Sequence, residues 1–356
     1  MTLRTVIVAS GSFIPPKRVP NEAFLQHDFW DQKGRKIEKS NAEILQQFEA
    51  ITGIRERRYV ADEMVTSDIA TEAARAALES SGIDPASLDY IIVAHNFGDV
   101  KAGSSRSDLV PSLAARVKNK LRIRNPRPAA YDLIFGCPGW LQGMIQSDAL
   151  IRAGAAKRVM VIGSDTLSRI SDPHDRDSLI YADGAGATIV EGREGDAGIL
   201  AHAVRSDSME QLDMLSMARS YHPEFPVGDE LYLKMEGRKL YRYALETVAG
   251  SIKQVLDEAG LGLADVKKIL LHQANEKMDQ AIRDALYALY GLTPPPDVMP
   301  MTIGWLGNSS VATLPTLYDL LSKGQLEGQS LASGDLAVFA SVGAGMHINA
   351  FVYRMP

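Results

Sequence analysis

The chain has a single cysteine, Cys137, among its 356 residues. One thiol cannot close an internal disulfide, so cross-links contribute nothing to its stability. That fits a reducing, cytoplasmic setting. No apolar run approaches the roughly 20 residues that a membrane-spanning helix needs, and no membrane partner is expected. Basic residues are outnumbered, 38 Lys and Arg against 44 Asp and Glu, giving a net charge of −6. This excludes a generally basic nucleic-acid surface. Low-complexity tracts are missing too, which argues against disorder. The first apolar run, residues 5–9, is short and is followed by Gly11, Pro15 and Pro16. It reads as a strand and turn, not as a signal peptide.

What is present is ample apolar material: 46% of residues are hydrophobic, enough for a large core. Short, β-branched runs stand at 5–9, 90–94, 158–163, 186–190, 269–271 and 336–340. Continuous runs of this kind predict strands buried on both faces. Helical patterns lie between them, at 67–81, 139–153, 239–259 and 277–290. The alternation predicts a layered α/β fold.

Two stretches echo each other. Residues 70–82 end on Gly82, then a turn leads to the run 90–94 and His95-Asn96. Residues 248–260 end on Gly260, then a turn leads to the run 268–271 and His272-Gln273-Ala274-Asn275. Either the chain is duplicated, with halves 1–190 and 191–356, or it shows only the helix–turn–strand rhythm of any α/β protein. Residues 27–41 and 102–120 read as solvated excursions. The alternative for both is binding of a phosphorylated carrier, the second carrying Arg116, Lys118 and Lys120.

Four segments can carry chemistry. Cys137 sits in Phe135-Gly136-Cys137-Pro138-Gly139-Trp140, between an apolar run and a helical pattern. Proline suits a first helical turn, so the sulfur is expected at a helix N-terminus, where the thiolate is favoured. The alternative is an inert buried thiol. His272 ends a strand, where a neutral imidazole can donate to an oxygen developing charge; a structural histidine reads the same way. Asn308, in Gly307-Asn308-Ser309-Ser310, offers an amide donor or a helix cap at the start of a small-residue helix. Gly343-Ala344-Gly345 is a turn whose backbone N–H groups can approach a ligand.

In this order and spacing the four segments resemble β-ketoacyl-acyl-carrier-protein synthase III, of the thiolase-like condensing enzymes. The resemblance covers almost the whole chain. It includes Thr52-Gly53-Ile54-Arg55, Gly163-Ser164-Asp165, Asp172-Pro173-His174-Asp175-Arg176 and Asp183-Gly184-Ala185-Gly186-Ala187. It implies a duplicated, five-layered αβαβα fold, usually a homodimer, acting on acyl thioesters of acyl carrier protein or coenzyme A. No metal or resident cofactor is implied. Cys137 takes the acyl group, and the N–H groups of Cys137 and Gly345 form the oxyanion hole. His272 and Asn308 stabilise the enolate left when a malonyl thioester loses CO₂, and Claisen condensation follows. Asn275, Tyr241, Arg242, Lys277 and Arg176 fall at substrate-binding positions.

The departures point toward secondary metabolism. Gln47 and Ile51 stand where the family has a Trp and an Arg that sandwich adenine, which favours carrier-bound donors. Pro138 and Trp140 are bulkier than the family's residues and are expected to reshape the acyl pocket. Ala344 replaces a glycine. Three other readings are open. The first is acyl transfer to oxygen or nitrogen without decarboxylation, and the second a silent partner subunit. The third is a metal site at Asp172, His174, Asp175 and Asp177, although the family loop there binds none.

Overall fold

The structure is a computed structural model that describes residues 2–225 and 228–356. In chain order the strands are β1 (Leu3–Phe13), β2 (Lys17–Pro20), β3 (Glu56–Tyr59), β4 (Tyr90–His95), β5 (Ala129–Ile134), β6 (Arg158–Thr166), β7 (Asp183–Glu194), β8 (Gly198–Ser206), β9 (Leu215–Ala218), β10 (Tyr232–Met235), β11 (Val266–Leu271), β12 (Leu336–Gly343) and β13 (His347–Arg354). The helices are α1 (Asn41–Thr52), α2 (Thr66–Ser81), α3 (Leu113–Lys120), α4 (Gly139–Arg152), α5 (Ser208–Gln211), α6 (Gly237–Glu258), α7 (Glu276–Ala288), α8 (Ile303–Leu306) and α9 (Thr313–Ser322).

One sheet has the order β1-β7-β6-β4-β5 and another the order β11-β12-β13-β8. Both repeat one pattern of directions. In the first, β4 and β6 run parallel, β6 and β7 antiparallel, and β7 and β1 antiparallel. In the second, β11 and β12 run parallel, β12 and β13 antiparallel, and β13 and β8 antiparallel. Two short hairpin-like sheets, β2–β3 and β9–β10, lie outside this repeat.

Alternation along the strands builds the layers, because successive side chains leave opposite faces. On β4, Ile91 and Val93 join a core with α2 and α3 (Ile69, Ala73, Leu113, Val117), while Ile92 faces the other way. On β12, Val338, Ala340 and Val342 join a core with α6 and α7. Its alternate residues Ala337 and Phe339 meet Ile92 in a central core with α4 and α9 (Trp140, Met144, Leu314, Leu317). The order is therefore α2/α3, sheet, α4/α9, sheet, α6/α7.

Residue 190 lies inside β7, whose last residues, Glu191–Glu194, pair with Leu3–Val6 of β1. We therefore propose the junction of the two halves at the turn 195–197, between β7 and β8.

Candidate active site

Cys137 lies three residues beyond β5 and two before α4, with Pro138 as the cap residue of that helix. Gly136 turns the chain there at φ +80. A Cβ on Gly136 would stand 2.9 Å from the Ala344 nitrogen, and one on Gly343 would stand 2.6 Å from the Cys137 nitrogen. The cysteine turn and the 343–345 turn thus interlock backbone to backbone, and only glycine permits this approach. Gly345 is left-handed at φ +78 and Met346 at φ +50. The segment 206–208 clasps this turn: Ser206 Oγ meets His347 Nδ1 at 2.9 Å, Asp207 N–H donates to Met346 O at 3.2 Å, and Ser208 Oγ donates to Gly345 O at 3.0 Å. The His347 ring stacks on Phe135 at 4.3 Å.

His272 directly follows β11, and its N–H donates to Ala340 O of β12 at 2.9 Å. Three residues beyond Ala340, β12 reaches Gly343 beside Cys137. The imidazole is buried, which pushes its pKa down to about 4. It is neutral at physiological pH, as an enolate donor must be. Its Nδ1 is buried without a partner. Gln273, next in the chain, fixes the loop below by donating to Pro300 O at 2.8 Å and accepting from Thr302 N–H at 2.8 Å.

Asn308 is held by backbone bonds to Ile180 and Ala182 at 2.9 and 2.8 Å, on either side of buried Tyr181. Its Oδ1 accepts from Ser310 N–H at 2.9 Å, which directs the amide NH₂ the other way. Ser310 Oγ donates to Cys137 Sγ at 3.3 Å. Asn308 is therefore linked to the sulfur through a residue two positions away.

Several expectations change. Burial pushes the Cys137 thiol up to about 11, with the nearby Asp165 charge adding to the rise and the Ser310 hydrogen bond opposing it. Asn308 does not cap the α-helix: α9 begins at Thr313, after a short 3-10 turn, Ser310–Ala312. Trp140 does not shape an acyl pocket. It is 1% exposed in the central core, tilted against Phe339 and Phe351, with Nε1 donating to Thr188 Oγ1 at 3.2 Å. The basic residues of α3 are engaged: Arg116 on Asp99 and Asp108, Lys118 on Pro128 O, Lys120 on Asp68. In the Asp172–Asp177 loop, Lys234 of β10 sits on Asp172 and Asp175.

Of the substrate positions, Asn275 caps α7 by accepting from Met278 N–H at 3.1 Å. Tyr241 and Arg242 are exposed on α6, and Lys277 is exposed in the first turn of α7. Arg176 is exposed, 3.6 Å from Asp177. Gln47 is exposed on α1, bonded to Lys39 Nζ, and Ile51 is exposed at its end.

Residues 131–208 match the model of 3-oxoacyl-[acyl-carrier-protein] synthase III, and residues 256–355 match its C-terminal model. The β-ketoacyl-[acyl-carrier-protein] synthase III of Cereibacter sphaeroides is 34% identical, over 99% of this chain and all of its own length. That of Erythrobacter litoralis is 32% identical over 99% of both chains. This chain belongs to the β-ketoacyl-[acyl-carrier-protein] synthase III family. It is a condensing enzyme of the transferase class, with the thiolase-like fold. Among solved structures, the 3-oxoacyl-(acyl carrier protein) synthase III of Pseudomonas aeruginosa superposes with a TM-score of 0.80 at 27% identity, covering 99% of this chain and 98% of that one. The priming β-ketosynthase of the R1128 polyketide pathway gives 0.80 at 25% identity, over 99% and 96%.

Proposed function

We propose that the enzyme loads an acyl group onto Cys137 and condenses it with a malonyl thioester by decarboxylative Claisen chemistry. The observation that carries this is the meeting of two turns around one sulfur. The 343–345 turn packs on the Cys137 nitrogen, and Ser310, two residues after Asn308, bonds Sγ. In this reading the N–H groups of Cys137 and Gly345 hold the oxyanion during loading. Neutral His272 and the Asn308 amide then hold the thioester oxygen of the enolate. Neither donor is acidic enough to protonate the carbanion early.

The exposed Arg242 and Lys277, with Tyr241, suit the acidic surface and pantetheine arm of a carrier protein. Gln47 and Ile51 offer no adenine sandwich, so we propose carrier-bound acyl donors, with Arg176 and Asn275 as further contacts. We also propose a cytoplasmic homodimer; no helix among the described residues is long and apolar enough to cross a membrane.

The test separates the two half-reactions. With malonyl and acyl carrier-protein donors, His272→Ala or Asn308→Ala should lower condensation product at least about 100-fold while Cys137 still loads. Equal loss of loading and condensation would refute this division of roles.

A further inference from the structure

The loading step needs a proton acceptor, and neither Cys137 nor His272 supplies one. Cys137 is partly buried, and desolvation holds it as a thiol. His272 is a poor base after burial, and its assigned role needs it neutral and donating.

A second buried group adjoins the sulfur. Asp165, at the end of β6, is 1% exposed. Asn96, which follows β4, donates its backbone N–H to Asp165 Oδ1 at 2.9 Å and its side-chain Nδ2 to Oδ2 at 2.6 Å. The same Nδ2 donates to Ser310 Oγ at 2.9 Å. One amide NH₂ thus sets the Asp165 carboxylate beside the hydroxyl that bonds Cys137 Sγ at 3.3 Å. The Ser310 hydroxyl lies near enough to the carboxylate to oppose the rise of its pKa. A hydroxyl rotor has one proton and two lone pairs, so it can serve both neighbours in turn.

The backbone is committed to this arrangement. Ser310 has φ +53, one of three non-glycine residues with positive φ among those described, and Met346 of the interlocked turn is another. Strain of this kind persists only where the surroundings impose it. Gly163, two residues before Asp165, is pressed on the Val311 carbonyl, so that a Cβ there would stand 2.2 Å from the oxygen. The end of β6 and the Ser310 turn are therefore held as one unit.

We propose that Asp165, acting through the Ser310 hydroxyl, is the base that takes the Cys137 proton during acyl loading. As Sγ bonds to the donor's carbonyl carbon, the S–H proton passes to Ser310 Oγ, and the hydroxyl proton passes to the Asp165 carboxylate. Collapse of the tetrahedral intermediate breaks the bond from carbon to the pantetheine sulfur. The departing thiolate takes the proton back along the same hydroxyl. The balance is acyl–S–R plus Cys–SH giving acyl–S–Cys plus R–SH, with Asp165 and Ser310 restored. One negative charge is shared between two neighbouring acids, a buried carboxyl and a partly buried thiol, that resist ionising together. The charge moves to the sulfur when the carboxylate takes the proton.

The other titratable groups facing the pair are His95, whose Nε2 meets Asp132, and Tyr181, a phenol that burial keeps protonated. Asp165 is raised to about 6, chiefly by burial. A base must be ionised, so native loading should plateau above about pH 6 and fall as pH drops through that value.

The proposal rests on Cys137 being the acyl carrier, and the test keeps the two apart. Loading from an octanoyl N-acetylcysteamine thioester is timed by intact mass from pH 5 to 9, and thiolate formation is read separately by iodoacetamide alkylation. Asp165→Asn should move the alkylation midpoint to lower pH, because a neighbouring negative charge is gone. It should nevertheless slow loading at pH 7 about 100-fold, and its rate should climb with pH instead of holding level. Ser310→Ala should slow loading similarly, with the same climb. An unmoved alkylation midpoint in Asp165→Asn would overturn the proposal, as would native loading rates at pH 7 in either variant. If native protein loads at a residue other than Cys137, the carrier assignment itself fails; if Cys137 loads and both variants match native, only the relay fails.

Discussion

At the scale of single residues, the sequence names the reacting groups but not their states. Cys137, His272 and Asn308 are each ambiguous alone; their order along the chain is what makes them a set. The neutral imidazole follows directly from the strand-end position, because burial can only lower a histidine that has no anionic partner. The thiol goes the other way. Desolvation is the largest cause, and the Asp165 charge adds to the rise. Neither the desolvation of the sulfur nor a carboxylate 28 positions later is visible in a local window. Ser310 and Asn96 escape for a similar reason. Serine after asparagine reads as a cap, and a φ of +53 leaves no sequence signature in a non-glycine residue. Asp165 stands in the Gly163-Ser164-Asp165 segment, where its only local signal is a carboxylate ending an apolar run.

At the scale of elements, periodicity carries most of the structure. The four helical patterns and six apolar runs coincide with α2, α4, α6 and α7 and with β1, β4, β6, β7, β11 and β12. The short strands β2, β3, β9 and β10 are four residues each, too short for a period of two to be established in them. β10 carries Lys234, a buried cation whose partners lie about 60 positions away, beyond any local pattern. α7 contains a misfit of another kind. Asp279 is fully buried, both carboxylate oxygens lack a partner, and burial keeps the group protonated. Such a group costs about 1–3 kcal/mol. Asp279→Leu should therefore stabilise the protein by about that amount, read as a higher midpoint in urea. A lower midpoint would mean that the carboxyl has a partner or that the site has no room for leucine.

For the whole molecule, the five-layer order explains why the site sits where it does. Cys137 leaves one sheet through β5 and His272 leaves the other through β11, and the central layer of α4 and α9 is clamped between them. The layering was legible as alternating helix and strand. The pairing of sheets was not, since it depends on which face of each strand meets α4. β5 closes the first sheet with an open edge, and Ile134 at its end is 62% exposed. An apolar open edge invites pairing, and we propose that a second copy covers it. Light scattering should give a dimer for the native protein and a shift toward monomer for Ile134→Asp. A native monomer, or a variant dimer as tight as native, would refute that interface.

The account as a whole turns on where the acyl group is held. Intact-mass spectrometry followed by peptide mapping, after incubation with an acyl carrier-protein donor, measures this directly. The predicted result is one acyl adduct on the peptide containing Cys137, lost in Cys137→Ser. An adduct that survives in that variant, or condensation that proceeds without any adduct, would contradict it.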